Sequence, residues 1–243
     1  MINKKFVLIV CVSFIMASVL TFGVTQNPSN AENVSKIANK DLINKTGKVA
    51  KENLKEITKL NAALLKKATD LTVAATINDT VDLNVEEFMY LKKMYSAYGM
   101  DKSDDYIFNV LVEEKVKFAE AEKRGLLPTE KELTDYLKME QQMAKENPEV
   151  FQELIDASGL TEDEYWNTYE RFYATKIVAF GKLSKAIFEE AGLANSEKVN
   201  NDLLEAQKVH YKQYIQELKN KAKVTINKEF KDFSYDKTVL TVK

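Results

Sequence analysis

The sequence is poor in the residues that make turns and in those that form disulfides or metal sites. Its 243 residues include 7 Gly, 3 Pro, 1 Cys and 1 His. So few turn-forming residues disfavour an all-β sandwich or barrel and favour long helices. A single Cys excludes an intramolecular disulfide and a cysteine-based zinc site, and a single His excludes a multi-histidine metal centre.

The composition is otherwise that of an ordinary globular protein. Hydrophobic residues make up 45% of the chain and charged residues 30%, so neither general disorder nor a protein with many membrane spans is expected. The formal net charge is -2. Such a balance offers no reason to expect nucleic acid as a partner.

The N-terminus carries the pattern of an export signal. Lys4 and Lys5 precede an uncharged apolar run from Phe6 to Val24. A basic flank before an apolar core is typical of a signal peptide, but the run is also long enough to remain as a membrane anchor. Small residues just before Glu32 offer a cleavage site. Both alternatives predict that the rest of the chain works outside the cytoplasmic membrane.

A basic segment follows this signal. Residues 36–70 contain nine Lys and four acidic residues, whereas residues 71–243 are acidic overall. The segment could contact anionic lipid or a cell-wall polymer next to the membrane, or it could be a spacer with a solvated helix face. The predicted division is a signal or anchor over 1–25, a basic linker and amphipathic helix over 26–70, and a helical domain over 71–243.

Apolar periodicity, capping residues and glycines predict a mainly α fold with a minimal sheet of two or three strands. Residues 26–47 are interpreted as a linker. Helices are expected at about 49–71, 84–99, 104–124, 129–146, 147–159, 161–191 and 197–221. Short strands are expected at 72–77 and 224–226, with a third candidate at 238–242. The sheet would then join the start of the domain to its end.

Motifs for catalysis are missing. There is no glycine-rich phosphate loop, no nucleophile elbow and no zinc-protease motif, and His210 stands alone in a helical pattern. Glu113 and Glu114 are adjacent acids, but the helical pattern predicts that they face solvent rather than form a catalytic pair. We therefore predict that the protein is not an enzyme and binds neither a metal nor a cofactor.

Aromatic and methionine side chains are the remaining candidates for a functional surface. Most such residues fill cores, but Met and Tyr also suit adaptable contact with other polypeptides. Because Tyr165 and Trp166 are neighbours on one helix, at least one of them should be partly exposed. The predicted polypeptide-binding residues are Tyr90, Met94, Tyr98, Trp166, Tyr169 and Tyr173.

Three segments, in order along the chain, resemble the chaperone domain of the SurA and PrsA family of extracytoplasmic folding factors. The first is Ala74–Asp79 with the following Glu86-Glu87-Phe88, in which Asp79 stands where the family usually has Gly. The second is Leu111–Gly125, followed by the capping pattern at Thr129–Glu132. The third is Tyr214–Ile226, which is similar to the closing helix and strand of the family. The resemblance covers about residues 72–227.

This resemblance implies an ATP-independent holdase that shields unfolded or exported polypeptides. Many family members also carry a parvulin prolyl-isomerase domain, which needs histidines and glycine-rich turns that this sequence lacks, so no isomerase activity is expected. The alternative is a structural or scaffold protein of the cell envelope or spore that holds one dedicated partner. A chaperone would protect many unrelated chains, whereas a scaffold would bind one.

Overall fold

The computed structural model describes residues 38–66, 70–194 and 201–239. Its helices are α1 (Ala38–Glu52), α2 (Leu54–Leu64), α3 (Val85–Ala97), α4 (Asp104–Lys123), α5 (Glu130–Glu146), α6 (Pro148–Ser158), α7 (Glu162–Glu164), α8 (Arg171–Glu190) and α9 (Asn201–Lys221). A π-helical turn, Tyr165–Glu170, joins α7 to α8. The strands are β1 (Val73–Ile77), β2 (Val81–Asn84) and β3 (Val224–Ile226). The predicted fold class, mainly α with a minimal sheet, is confirmed.

Local sequence signals explain where several helices begin and end. Thr129 accepts a hydrogen bond from the backbone N–H of Glu132, and the Glu132 side chain accepts one from the backbone of Thr129. Thr161 and Glu164 form the same capping box before α7. Gly159 ends α6 with a φ of 69°, a left-handed conformation that glycine adopts without steric cost.

The sheet joins the beginning and the end of the helical body, as predicted. Its order is β2-β1-β3 and both pairings are antiparallel, so Ile77 of β1 lies between Val81 and Val224. The third strand is β2 rather than residues 238–242. Residues 238 and 239 are not in a strand, and 240–242 lie outside the described residues.

The turn between β1 and β2 contains Asp79, at the position where the SurA and PrsA pattern usually has Gly. The backbone conformation of this turn explains why Asp is tolerated there. Asn78 and Asp79 have φ values of 51° and 58°, the positive values that both central residues of a type I′ turn require, and the Thr80 N–H closes the turn on the Ile77 carbonyl at 3.1 Å. Asn and Asp tolerate this conformation better than most residues with a side chain. The Asn78 side chain also accepts a hydrogen bond of 3.0 Å from the backbone N–H of Lys223, and so ties the turn to the segment before β3.

We expect Asn78→Ala to lower the free energy of unfolding by about 1–2 kcal/mol, because it adds left-handed strain and removes this hydrogen bond. Urea unfolding followed by circular dichroism measures the loss. Asn78→Gly is the matched control, since it removes the same hydrogen bond but relieves the strain. Equal losses in the two variants would show that backbone strain contributes nothing.

The described part of the N-terminal basic segment is mostly helical and packs on the body. Helix α1 begins at Ala38, so the linker interpretation is wrong for residues 38–47, and residues 26–37 lie outside the described part of the chain. The single helix expected at 49–71 is interrupted at Asn53, whose side chain donates to the Val49 carbonyl and accepts from Lys93. Ile57 and Leu60 of α2 are fully buried against the body.

Two main apolar clusters form the core. The first lies between α1, α2, α3, the π-helical turn and α8, and includes most of the predicted aromatic residues. The second lies between the sheet, α3 and α4, and the chain after β3 packs onto it. Within the described ranges, no helix has the length and apolar character needed to cross a membrane. The apolar run Phe6–Val24 is outside those ranges.

Candidate polypeptide-binding cleft

A cleft of about 400 Å³ opens between α2, the β1–β2 hairpin and α4. Its lining includes apolar side chains from all three parts of the fold and from the flanking loops, namely Leu64, Leu71, Val73, Val81, Phe118 and Leu127. The more exposed lining residues are polar or charged, and include Lys66, Thr80 and Asp82. An apolar lining with a few polar groups at its margin is the usual composition of a binding pocket.

The cleft lies beside an open edge of the sheet. Strand β2 is an edge strand, and in the described part of the chain no strand pairs with its outer side. The side chain of Lys66 approaches the turn that precedes β2 and donates a hydrogen bond of 2.6 Å to the Thr80 carbonyl. Lys66 thus lies at the start of the edge, where a strand added to β2 would end or begin.

Paired charges lie at the buried side of the cleft. Lys115, which lines the cleft, contacts Glu87 at 2.6 Å, and Lys176 bridges Glu87 and Glu114 at 3.3 and 2.6 Å. Burial alone would raise the pKa of Glu87, but Lys115 and Lys176 together hold it below its ordinary value. The Glu87 carboxylate is therefore ionised at neutral pH.

The structure brings the six predicted polypeptide-binding residues together, but not in this cleft. Tyr90, Met94, Tyr169 and Tyr173 are buried in the first core cluster, and Tyr98 and Trp166 are half-buried against it. The hydroxyl groups of Tyr90 and Tyr173 are 2.8 Å apart. Burial raises the pKa of Tyr90 well above its usual value. Contact between these six residues and another polypeptide stays a prediction, and it would require the first cluster to open.

The expectation for the adjacent acids Glu113 and Glu114 is wrong. Glu113 has no solvent exposure, and its carboxylate lies 3.6 Å from Lys117 and 3.7 Å from Lys219. Glu114 pairs with Lys176. Helix α4 is enclosed on most sides, so its charged residues pair with one another and with neighbouring helices instead of reaching water.

The cleft residues Lys66 and Lys115 were not singled out from the sequence. They belong to segments far apart in the chain, and no motif connects them. The only signal was indirect, since the segments around β1 and α4 carry two of the three resemblances to SurA and PrsA.

No family model matches this chain. The comparisons with curated proteins and with solved structures also find no match. Membership of the SurA and PrsA family therefore stays a prediction, and the functional argument rests on the geometry of the cleft and of the strand edge beside it.

Proposed function

We propose that this protein is an ATP-independent holdase, which binds unfolded or exported polypeptides outside the cytoplasmic membrane. The observation that supports the proposal is the apolar cleft beside the open edge of β2. Apolar side chains of a client would enter the cleft, and its main chain would pair with the strand edge. Neither contact requires a particular client sequence, because every polypeptide has a main chain and most have apolar side chains.

The size of the cleft suits weak and reversible contact. About 400 Å³ is near the lower end of the ~300–1,000 Å³ range of ligand pockets, enough for one or two apolar side chains. A holdase must release its client without a nucleotide-driven step, so limited burial of apolar surface is appropriate. No group in the cleft needs to perform covalent chemistry for this role.

Contact between the basic segment and an anionic surface is also a proposal. In the described part of the chain, Lys51 and Lys66 form ion pairs with Glu164 and Glu122 of the body at 2.5 and 3.1 Å. Lys59 pairs at 2.6 Å with Asp70 of the basic segment itself. These ion pairs neutralise part of the positive charge of the basic segment within the protein. A membrane contact would therefore depend mainly on the lysines that point away from the body.

The proposed function predicts that the protein suppresses aggregation of unrelated clients. The full chain, expressed with its own N-terminal segment and purified in the processed form that the cell makes, is mixed with two chemically unfolded proteins in the absence of nucleotide. Light scattering is followed against protein ratio. We expect suppression of both clients at near-stoichiometric amounts. Failure with both clients would contradict the holdase and favour the scaffold with one dedicated partner.

Two cleft residues make the test specific. Leu71 and Leu127 are half-buried and line the cleft, so Leu71→Ser combined with Leu127→Ser should raise the amount of protein needed for suppression roughly tenfold. Met139→Ser is the control, because Met139 is 50% exposed on α5 and lies outside the cleft. Equal activity of the cleft variant and the control would exclude the cleft as the binding site.

A further inference from the structure

The chain after β3 lies in a groove between α3, α4 and α9. We call residues 227–239 the tail, and we call the surface that holds it the tail groove. Apart from the 3-10 turn Lys228–Phe230, the tail has no regular secondary structure. It is held instead by side chains of the groove, which are Phe88, Asp105, Phe108, Asn109, Gln216 and Lys219.

Most polar contacts in the groove are made to the main chain of the tail. Asn109 donates to the Ser234 carbonyl at 2.9 Å and accepts from the backbone N–H of Asp236 at 2.7 Å. Asp105 accepts from the backbone N–H of Ser234 at 3.2 Å and also from its hydroxyl. One amide side chain thus bonds to the main chain on both sides of Tyr235, much as a neighbouring strand would.

Two residues of α9 form hydrogen bonds with the main chain nearer the end of the tail. Gln216 donates to the Lys237 carbonyl at 3.0 Å, and the Lys219 ammonium donates to the Val239 carbonyl. In the opposite direction, the Tyr235 hydroxyl donates to the Lys219 carbonyl at 2.7 Å, and the Lys237 ammonium donates to the Asn220 carbonyl. Nearly all of these bonds therefore have a main-chain atom as one partner.

The groove is a buried and ordered site. Asn109 is 1% exposed and Lys219 is fully buried. Asn109 is oriented by a second hydrogen bond, which it donates to the Asp105 carbonyl at 2.8 Å. Burial lowers the pKa of Lys219, and the Glu113 carboxylate 3.7 Å away opposes this effect. With the tail in place the Asn109 amide and the Lys219 ammonium are buried, and the main chain of the tail supplies polar partners that their burial requires.

One side chain of the tail is recognised as well. The ring of Phe233 stacks on Phe108 with ring centroids 4.8 Å apart and an interplanar angle of 6°. It also lies 4.9 Å from the ring of Phe88. Phe108 has no solvent exposure, so this position is an aromatic pocket at the base of the groove.

We propose that the tail groove is a binding site for extended polypeptide segments that carry an aromatic residue, and that the tail fills this site as an internal ligand. Asn109, Asp105, Gln216 and Lys219 bind the main chain of the segment, while Phe88 and Phe108 bind its aromatic side chain. A client with such a segment competes with the tail. The class of ligand follows from the proposed holdase function, but the groove is tested separately from it.

The first experiment measures binding of a fluorescent peptide with the sequence of residues 228–239. It uses anisotropy with the full chain, either wild type or Phe233→Ala. The wild-type groove is filled by its own tail, so the peptide should bind at least about tenfold tighter to Phe233→Ala. A peptide with Asp236→Pro lacks the N–H that Asn109 accepts and should bind about tenfold more weakly. A peptide that keeps the phenylalanines but has Ser234→Ala and Lys237→Gln should bind nearly as well as the parent.

Variants of the groove complete this experiment. Asn109→Ala in the Phe233→Ala background should abolish peptide binding. Equal binding with and without the Asn109 side chain, or equal binding of the proline peptide and its parent, would overturn the proposal. If circular dichroism shows that Phe233→Ala is unfolded, Tyr235→Phe replaces it, because it loosens the tail by removing only one hydrogen bond.

A second measurement separates the groove from the holdase function. Hydrogen exchange of the Ser234 and Asp236 amides is measured in the wild-type chain, with and without an excess of unfolded client. Displacement of the tail should make both amides exchange faster. Suppressed aggregation with unchanged exchange would overturn the groove and leave the holdase. Peptide binding without suppressed aggregation would overturn the holdase and leave the groove.

Discussion

Glu170→Gln is expected to stabilise the protein at pH 9 by roughly 3–6 kcal/mol and to leave its stability at pH 4 almost unchanged. Glu170 ends the π-helical turn and is 1% exposed. Glu140 of α5 lies nearby and is also buried. In the described part of the chain, no lysine or arginine forms an ion pair with Glu170, whose carboxylate oxygens are buried.

The direction of the effect follows from the protonation of Glu170. Burial raises its pKa to about 8, and the neighbouring Glu140 carboxyl adds to the rise. Between about pH 4.5 and pH 8 the folded protein keeps a proton that the unfolded chain releases. The free energy of unfolding therefore falls as the pH rises through this window and levels off above it. Gln resembles the protonated acid and has no proton to lose.

Two other carboxyls, those of Glu132 and Glu140, also make the free energy of unfolding depend on pH. A hydrogen bond from Lys182 and the backbone of Thr129 lower the pKa of Glu132 to about 2. Its contribution is complete above about pH 4.5 and is lost only in more acidic solution. Burial raises the pKa of Glu140, so Glu140 acts in the same direction as Glu170. Some slope should therefore remain in the Glu170→Gln variant.

Urea unfolding at pH 5, 7 and 9 measures the effect. The wild-type protein should lose stability across this series, and Glu170→Gln should lose much less. Glu162→Gln is the matched control, because Glu162 is an exposed acid in the same helical segment and its substitution should leave the slope unchanged. Parallel pH profiles for the wild type and Glu170→Gln would contradict a proton held by Glu170.

The helical boundaries were largely predictable because they depend on local chemistry. The capping boxes at Thr129 and Thr161 and the left-handed glycine at Gly159 all appear where the sequence places them. Strand β2 was missed because it has only four residues and runs directly into a helix. The break at Asn53 was missed because the apolar spacing continues across it.

The main error of the sequence-based prediction was to place a buried charged residue, Glu113, in solvent. The cause of this error lies in the tertiary structure. The pattern of α4 assigned Glu113 to solvent, because charged residues on a helix normally lie on its exposed face. In the structure, Lys117 and Lys219 approach the carboxylate from two helices. The pairing of Glu113 with Lys219 joins residues more than 100 positions apart, and a single sequence does not reveal it. The cleft and the tail groove could not be predicted for the same reason, because each is built from segments that are far apart in the sequence.

The burial of the predicted aromatic residues involves the N-terminal helices. Tyr169 and Tyr173 lie in a cluster that α1 and α2 complete from the basic segment, where a linker and a separate helix were expected. Helix α2 contributes Ile57, Leu60 and Leu64 to this cluster, and α1 contributes Ala50. Helix α1 is held in this place by its close contact with α6 at Gly47 and Ser158.

Gly47→Ala is expected to separate these helices and to lower the free energy of unfolding by about 3 kcal/mol or more. A Cβ atom at Gly47 would lie 2.2 Å from Ser158 Cα and 2.6 Å from the Ser158 carbonyl oxygen. Both are backbone atoms, so no change of side-chain rotamer relieves the clash. Ser158 is also held in place by hydrogen bonds with Ile155 and Leu160.

Gly181→Ala provides a control of opposite sign. Gly181 is exposed within α8, and an added Cβ would meet nothing within 4 Å. Alanine favours a helix over glycine by up to ~1 kcal/mol, so this variant should be slightly more stable than the wild type. Urea unfolding of both variants measures the difference. Equal effects of the two substitutions, or a gain in stability for Gly47→Ala, would show that the contact at Gly47 is not close.

The Gly47→Ala variant also tests whether the aromatic residues predicted from the sequence bind polypeptides. Release of α1 removes Ala50 from the first cluster and breaks the ion pair of Lys51 with Glu164, which exposes the rings near Tyr165. If those rings bind polypeptides, Gly47→Ala should suppress aggregation of a client at lower protein ratios than the wild type, despite its lower stability. If they serve only as core, the variant should aggregate with the client. The sign of the change in light scattering therefore distinguishes a hidden binding surface from a structural core.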